Sequence, residues 1–122
     1  MGLTETRLGL IPATIAPYVL ARIGEGRARR VFMSGRVFGA DELPALGLAA
    51  RVVPPEALDA AVTDEVAPYL AAVPGAVAEA KRLARRLGPV IDDAAIEQTI
   101  AALADCWERP EAAERIAAFL ER

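Results

Sequence analysis

A chain of 122 residues is one domain at most, long enough to bury roughly two thirds of its unfolded surface. It has no histidine and a single cysteine, Cys106, which excludes a Ser-His-Asp triad, a Cys-His pair, a His-ligated metal and an intrachain disulfide. The net charge of −3 gives no general attraction to nucleic acid or to an anionic membrane, and no apolar run approaches the roughly 20 residues of a membrane span.

Apolar residues make up 54% of the chain, much of them alanine and few of them aromatic, so the core is expected to consist of Leu, Ile, Val and Ala. Some of that surface is expected to lie against another chain or another part of the same one. The start, Met1-Gly2-Leu3-Thr4-Glu5, lacks a signal-peptide pattern, and a soluble cytoplasmic protein is expected.

In chain order, Gly9 and Pro12 interrupt residues 1–12, which read as an extended entry or loop. Residues 15–23 have helical spacing with Pro17 in the first turn, and Gly24 stops them. A short helix over 27–33 ends at Ser34-Gly35. Another starts near Ala40-Asp41-Glu42, is limited by Pro44 to about two turns, and stops at Gly47. Arg51-Val52-Val53 is the one β segment, closed by Pro54-Pro55. Residues 56–73 predict a longer helix with Leu58, Val62, Val66 and Leu70 on one stripe and a kink at Pro68. Pro74-Gly75 breaks it, 76–87 is the next helix, and Asp92-Asp93 caps one carrying Ile96, Ile100, Leu103 and Trp107. Pro110 starts the last, over 111–122. A lone strand has unsatisfied backbone groups, so its partner sheet is expected elsewhere.

Four blocks carry a resemblance. Glu5-Thr6-Arg7-Leu8-Gly9-Leu10-Ile11-Pro12 places a glutamate four residues before a glycine and seven before a proline. Ser34-Gly35, Phe38, Ala40, Glu42 and Ala45 precede Gly47-Leu48-Ala49-Ala50-Arg51-Val52-Val53-Pro54. Pro74-Gly75-Ala76-Val77-Ala78-Glu79-Ala80-Lys81 and the ending Ala117-Ala118-Phe119-Leu120-Glu121-Arg122 complete the pattern. In this order the blocks resemble the C-terminal half of an enoyl-CoA hydratase/isomerase (crotonase-superfamily) subunit. The fold implied is mostly α: the C-terminal helical part of the crotonase α/β (ββα superhelix) fold, with at most one or two short strands. Residues 1–54 then form the end of the core, with the catalytic-glutamate turn and last strand, and residues 55–122 a C-terminal helical oligomerisation region. Val52-Val53 is expected to pair with a sheet of the other half.

In the family, water adds across the α,β double bond of an acyl-CoA thioester, or the double bond shifts. Backbone donors hold the enolate-like charge while carboxyl groups move the protons. Glu5 matches the carboxyl that delivers a proton to Cα. Pro12 and Ala13 fall at the acyl pocket, and Ala13-Thr14-Ile15 replaces the glycine run of many hydratases. It resembles members acting on methylglutaconyl- or isoprenoid-type branched acyl-CoAs. Phe119 matches an aromatic near the CoA adenine of a neighbouring subunit, and Arg122 a basic residue near the CoA phosphates. Coenzyme A enters as part of the substrate, no separate cofactor or metal is expected, and the assembly implied is a homo-trimer or hexamer. The oxyanion hole and the first glutamate belong to the N-terminal half, so a truncated enzyme is implied and the isolated chain is expected to be inactive.

Each of these residues also has a plainer reading. Glu5 by itself is a surface charge, Phe119 a core aromatic of an amphipathic helix, and Arg122 a solvated terminus. Lys81, Arg82, Arg85 and Arg86 share one helix face, read as solvated, as are Arg27, Arg29 and Arg30. Cys106-Trp107 reads as buried packing. Two further functions stand beside the enzyme: a non-catalytic helical trimerisation or interaction module of crotonase-like ancestry, and a helical nucleic-acid binder, which the acidic balance disfavours.

Overall fold

The computed structural model describes residues 1–121; Arg122 lies outside the described residues. Six α-helices follow in order: α1 (Ala16–Phe32), α2 (Leu43–Leu46), α3 (Leu58–Leu70), α4 (Pro74–Leu87), α5 (Asp93–Trp107) and α6 (Pro110–Leu120). Short 3₁₀ turns occupy Glu5–Leu8, Ala40–Glu42 and Pro55–Ala57. Helix, 3₁₀ turns included, accounts for 69% of the chain, and the β structure among the described residues is one antiparallel bridge, Gly2 to Val37. The mostly-α class expected from the sequence is the observed one. No helix among the described residues is long and apolar enough to cross a membrane.

Several local expectations change. Residues 1–12 are not wholly extended, because Glu5–Leu8 closes a turn ended by Gly9 at φ 75°. The two helices expected on either side of Gly24 are present as the two halves of α1, which breaks at Gly24 (φ 73°, ψ 164°) as the glycine predicted. Arg51-Val52-Val53 forms no strand; it leads as coil into Pro54-Pro55 with no β partner. Pro74 starts α4 instead of preceding it, since the first helical residue needs no N–H partner. Helix α3 passes through Pro68 and ends two residues later with no non-helical residue inside. The Asp92 side chain accepts from the Ala95 N–H at 2.9 Å, the expected cap.

Two small cores hold the chain. Ile23, Ala28, Val31, Phe38 and Leu46 form the first, with Leu3, Val19, Leu43 and Leu48 packed against it. Leu10, Cys106 and Ala112 form the second, with Leu8, Ile11, Leu103 and Ile116 around them. Cys106 is buried, but Trp107 is exposed, which corrects the expectation for the pair. Neighbours on a helix point about 100° apart, so only one of them faces α6.

Helices α3 and α4 bury no residue. The α3 stripe is present, yet Leu58, Val62, Val66 and Leu70 are all exposed. The accessible surface is 9080 Å² for 12.9 kDa, against about 6,300 Å² for a folded monomer of that mass. The excess, roughly 2,800 Å², is larger than the total buried in a standard protein–protein interface of about 1,600 Å².

Candidate functional site

The Glu5–Leu8 turn lies between the two cores, tied to the first through Leu3 and to the second through Leu8, Leu10 and Ile11. The Leu10 N–H donates to the Glu5 carbonyl at 3.1 Å, and Gly9 ends the turn in the left-handed region. A Cβ on Gly9 would stand 3.0 Å from Ala112 Cα, so this glycine serves both the φ and the close approach of α6. On the other side the Thr6 hydroxyl donates to the Phe32 carbonyl at 3.0 Å, fixing the turn to the end of α1. Gly35 admits Thr6 and Arg7, since a Cβ there would be 2.8 Å from Thr6 Oγ1. The turn is therefore held by α1, α6 and the loop after α1.

Glu5 itself is half-buried, and its Oε2 is buried with no hydrogen-bond partner among the described residues. A carboxyl oxygen left unsatisfied away from water costs free energy, and a catalytic role is one of the few reasons a fold keeps one. Chemically it can accept or hand over a proton at a position set by its backbone.

Next to the turn, a cleft of about 910 Å³ opens between it and α6, lined by Thr6, Arg7, Gly9, Arg115 and Phe119 among others. The charged lining is two guanidinium groups, Arg7 and Arg115, and one carboxylate, Glu111, beside the aromatic face of Phe119, a set that suits a ligand with a flat part and mixed polar groups. Phe119 is 58% exposed here, so it is not the core aromatic its helical spacing allowed. Glu5 does not line this cleft. Pro12 and Ala13 are buried just past the turn. The structure thus brings Glu5, Pro12, Ala13 and Phe119 around one short segment, with Phe119 alone in the open cleft.

Sequence reading missed Arg115 and Arg7 in the cleft, and it missed the role of Arg36. Arg36 meets Glu42 through two bonds of 2.7 and 2.6 Å and lies 5.3 Å over the Phe38 ring. The hydrogen bonds from Arg36 hold the Glu42 carboxyl below the usual glutamate range, against the opposing effect of burial. The basic residues of α4 are exposed, with Arg82 paired to Glu79, which fits their solvated reading.

A family model described as Enoyl-CoA hydratase/isomerase matches residues 1–122. The chain belongs to the enoyl-CoA hydratase/isomerase family. A Thermus thermophilus protein provisionally named an enoyl-CoA hydratase is 33% identical over 129 aligned residues, covering all of this chain and 48% of that protein. Methylglutaconyl-CoA hydratase 1, mitochondrial, of Pyricularia oryzae is 42% identical over 106 residues, 80% of this chain and 30% of that one. Among solved structures, a Streptomyces avermitilis protein provisionally named an enoyl-CoA hydratase superposes with a TM-score of 0.66 at 31% identity, covering 98% of this chain and 43% of that chain. The chain spans about half, or less, of the length of the relatives it matches.

Proposed function

We propose that this chain supplies the acid/base half of an enoyl-CoA hydratase/isomerase site acting on α,β-unsaturated acyl-CoA thioesters, with Glu5 as the carboxyl that exchanges a proton with Cα. The observation that carries this reading is the buried, unpartnered Oε2 of Glu5 on a turn held from three sides. A carboxyl oxygen with no protein donor on it is free to meet a hydrogen of the substrate.

Residues 1–54 belong on this reading to the catalytic core and residues 55–122 to an assembly region. The uncovered α3 and α4 faces and the excess surface support a homo-trimer or hexamer. Pro12 and Ala13 border the acyl group. Phe119 and Arg122 meet the CoA part of the substrate, which needs no separate cofactor. The likeness to a protein named methylglutaconyl-CoA hydratase supports a branched acyl group. The single buried Cys106 supports a reducing, cytoplasmic setting. The uncovered helix faces also favour the second reading, a non-catalytic helical interaction module.

Hydration of crotonyl-CoA and of a branched enoyl-CoA separates the two. The chain alone is expected to give no turnover, because one carboxyl without an oxyanion hole leaves the enolate charge unsupported. Fused behind the N-terminal half of the Thermus thermophilus relative, it is expected to hydrate one or both substrates. In that fusion Glu5→Gln should lower kcat by about 10²–10⁴-fold with assembly intact. An active fusion whose rate ignores Glu5→Gln would refute the role of Glu5, and a correctly assembled but inactive fusion would favour the interaction module.

A further inference from the structure

Between α1 and α2, residues 33–39 run through the loop that carries Gly35, Val37 and Phe38, with no regular structure beyond the bridge at Val37. This loop nevertheless grips the Glu5 segment at two places. The Phe38 N–H donates to the Met1 carbonyl at 2.8 Å and Val37 bridges to Gly2, just before the turn. Gly35 lies against Thr6 and Arg7, just after Glu5. Whatever fixes the loop therefore constrains the backbone on either side of Glu5.

Two things fix it. Phe38 is buried in the first core, and the Arg36 guanidinium over its ring makes a two-point fork with Glu42. Glu42 stands on the Ala40–Glu42 turn leading into α2, whose Leu46 is fully buried in the same core. The ion pair thus connects a rigid anchor to a loop with little structure of its own. We infer that Arg36 and Glu42 form a clamp that positions the Glu5 carboxyl, acting through the loop that holds the chain before and after Glu5. The clamp's effect on turnover rests on the proposed role of Glu5. Both side chains are about a third exposed, at 34% and 36%, and such pairs contribute little to overall stability. The bidentate geometry instead fixes direction, which a lysine in place of arginine cannot do.

The test has two arms. In the chain itself, Glu42→Gln and Arg36→Lys should speed hydrogen exchange of the Gly9 and Leu10 amides on the order of tenfold, leaving α5 amides unchanged. In the active fusion, each variant should lower kcat on the order of 10–100-fold with KM within about twofold. That loss should vanish when Glu5 is already Gln, because the clamp then has nothing to position. Unchanged exchange and kcat in both variants, with Glu5→Gln still disabling the enzyme, overturn the clamp alone. A kcat loss that persists undiminished beside Glu5→Gln also overturns it, as does global unfolding of both variants, which would make the pair merely structural. If Glu5→Gln leaves turnover unchanged, the reading of Glu5 fails, and the exchange arm reports on the clamp independently.

Discussion

The segment from Met1 to Leu48 and the pair α3 and α4 have similar shares of apolar residues but opposite fates. The first folds Leu3, Val31, Phe38 and Leu46 around one core, to which Leu3 ties the Glu5 turn. The second leaves Leu58, Val62, Leu70, Val77 and Leu87 exposed. Hydrophobic periodicity is thus necessary for burial and not sufficient; a surface must exist to receive the stripe. In the first region the receiving surface is local in sequence. For α3 and α4, none is found among the described residues.

Substitutions should separate the two regions by size of effect. Leu46→Ala, at a side chain 1% exposed, is expected to cost about 2–5 kcal/mol in urea unfolding. A loss under about 1 kcal/mol would show that the first core is not packed as described. Gly9→Ala combines a left-handed φ of 75° with a close approach to Ala112. The backbone conformation alone costs about 1–2 kcal/mol, and the melting temperature should fall accordingly. Acid should act next. Because Arg36 depresses the Glu42 carboxyl, their pairing adds stability above the ordinary glutamate range and loses it as pH falls through the depressed value. Glu42→Gln should flatten that part of the stability curve between pH 7 and strong acid. Smallest of all, Leu70→Ala in the isolated chain should change stability by less than about 0.5 kcal/mol, since its side chain is 81% exposed. A large loss there would mean that α3 already has a partner.

Much of this was readable from residue order. Proline and glycine punctuate helices for steric reasons that do not depend on tertiary context, so Gly47, Gly88, Asp92 and Pro110 marked real boundaries. Pro74 misled because the same missing N–H that breaks a helix interior suits its first position. The β-branched Val52 and Val53 have strand propensity, but strand pairing requires another strand, and propensity alone supplies none. At the site, the Glu5, Gly9 and Pro12 spacing pointed to the turn. The Arg36–Glu42 fork was not legible, because its partners are six residues apart across a loop and follow no helical or strand period. The buried state of one Glu5 oxygen was likewise invisible, since it depends on packing by elements distant in sequence.

Proton exchange at the α-carbon of butyryl-CoA, followed in deuterated water, isolates the step assigned to Glu5 from the activation of the attacking water. The fusion carrying native Glu5 should wash deuterium into Cα, and its Glu5→Gln variant should fall to the rate seen without enzyme. Equal exchange by both proteins would mean that another group carries the proton.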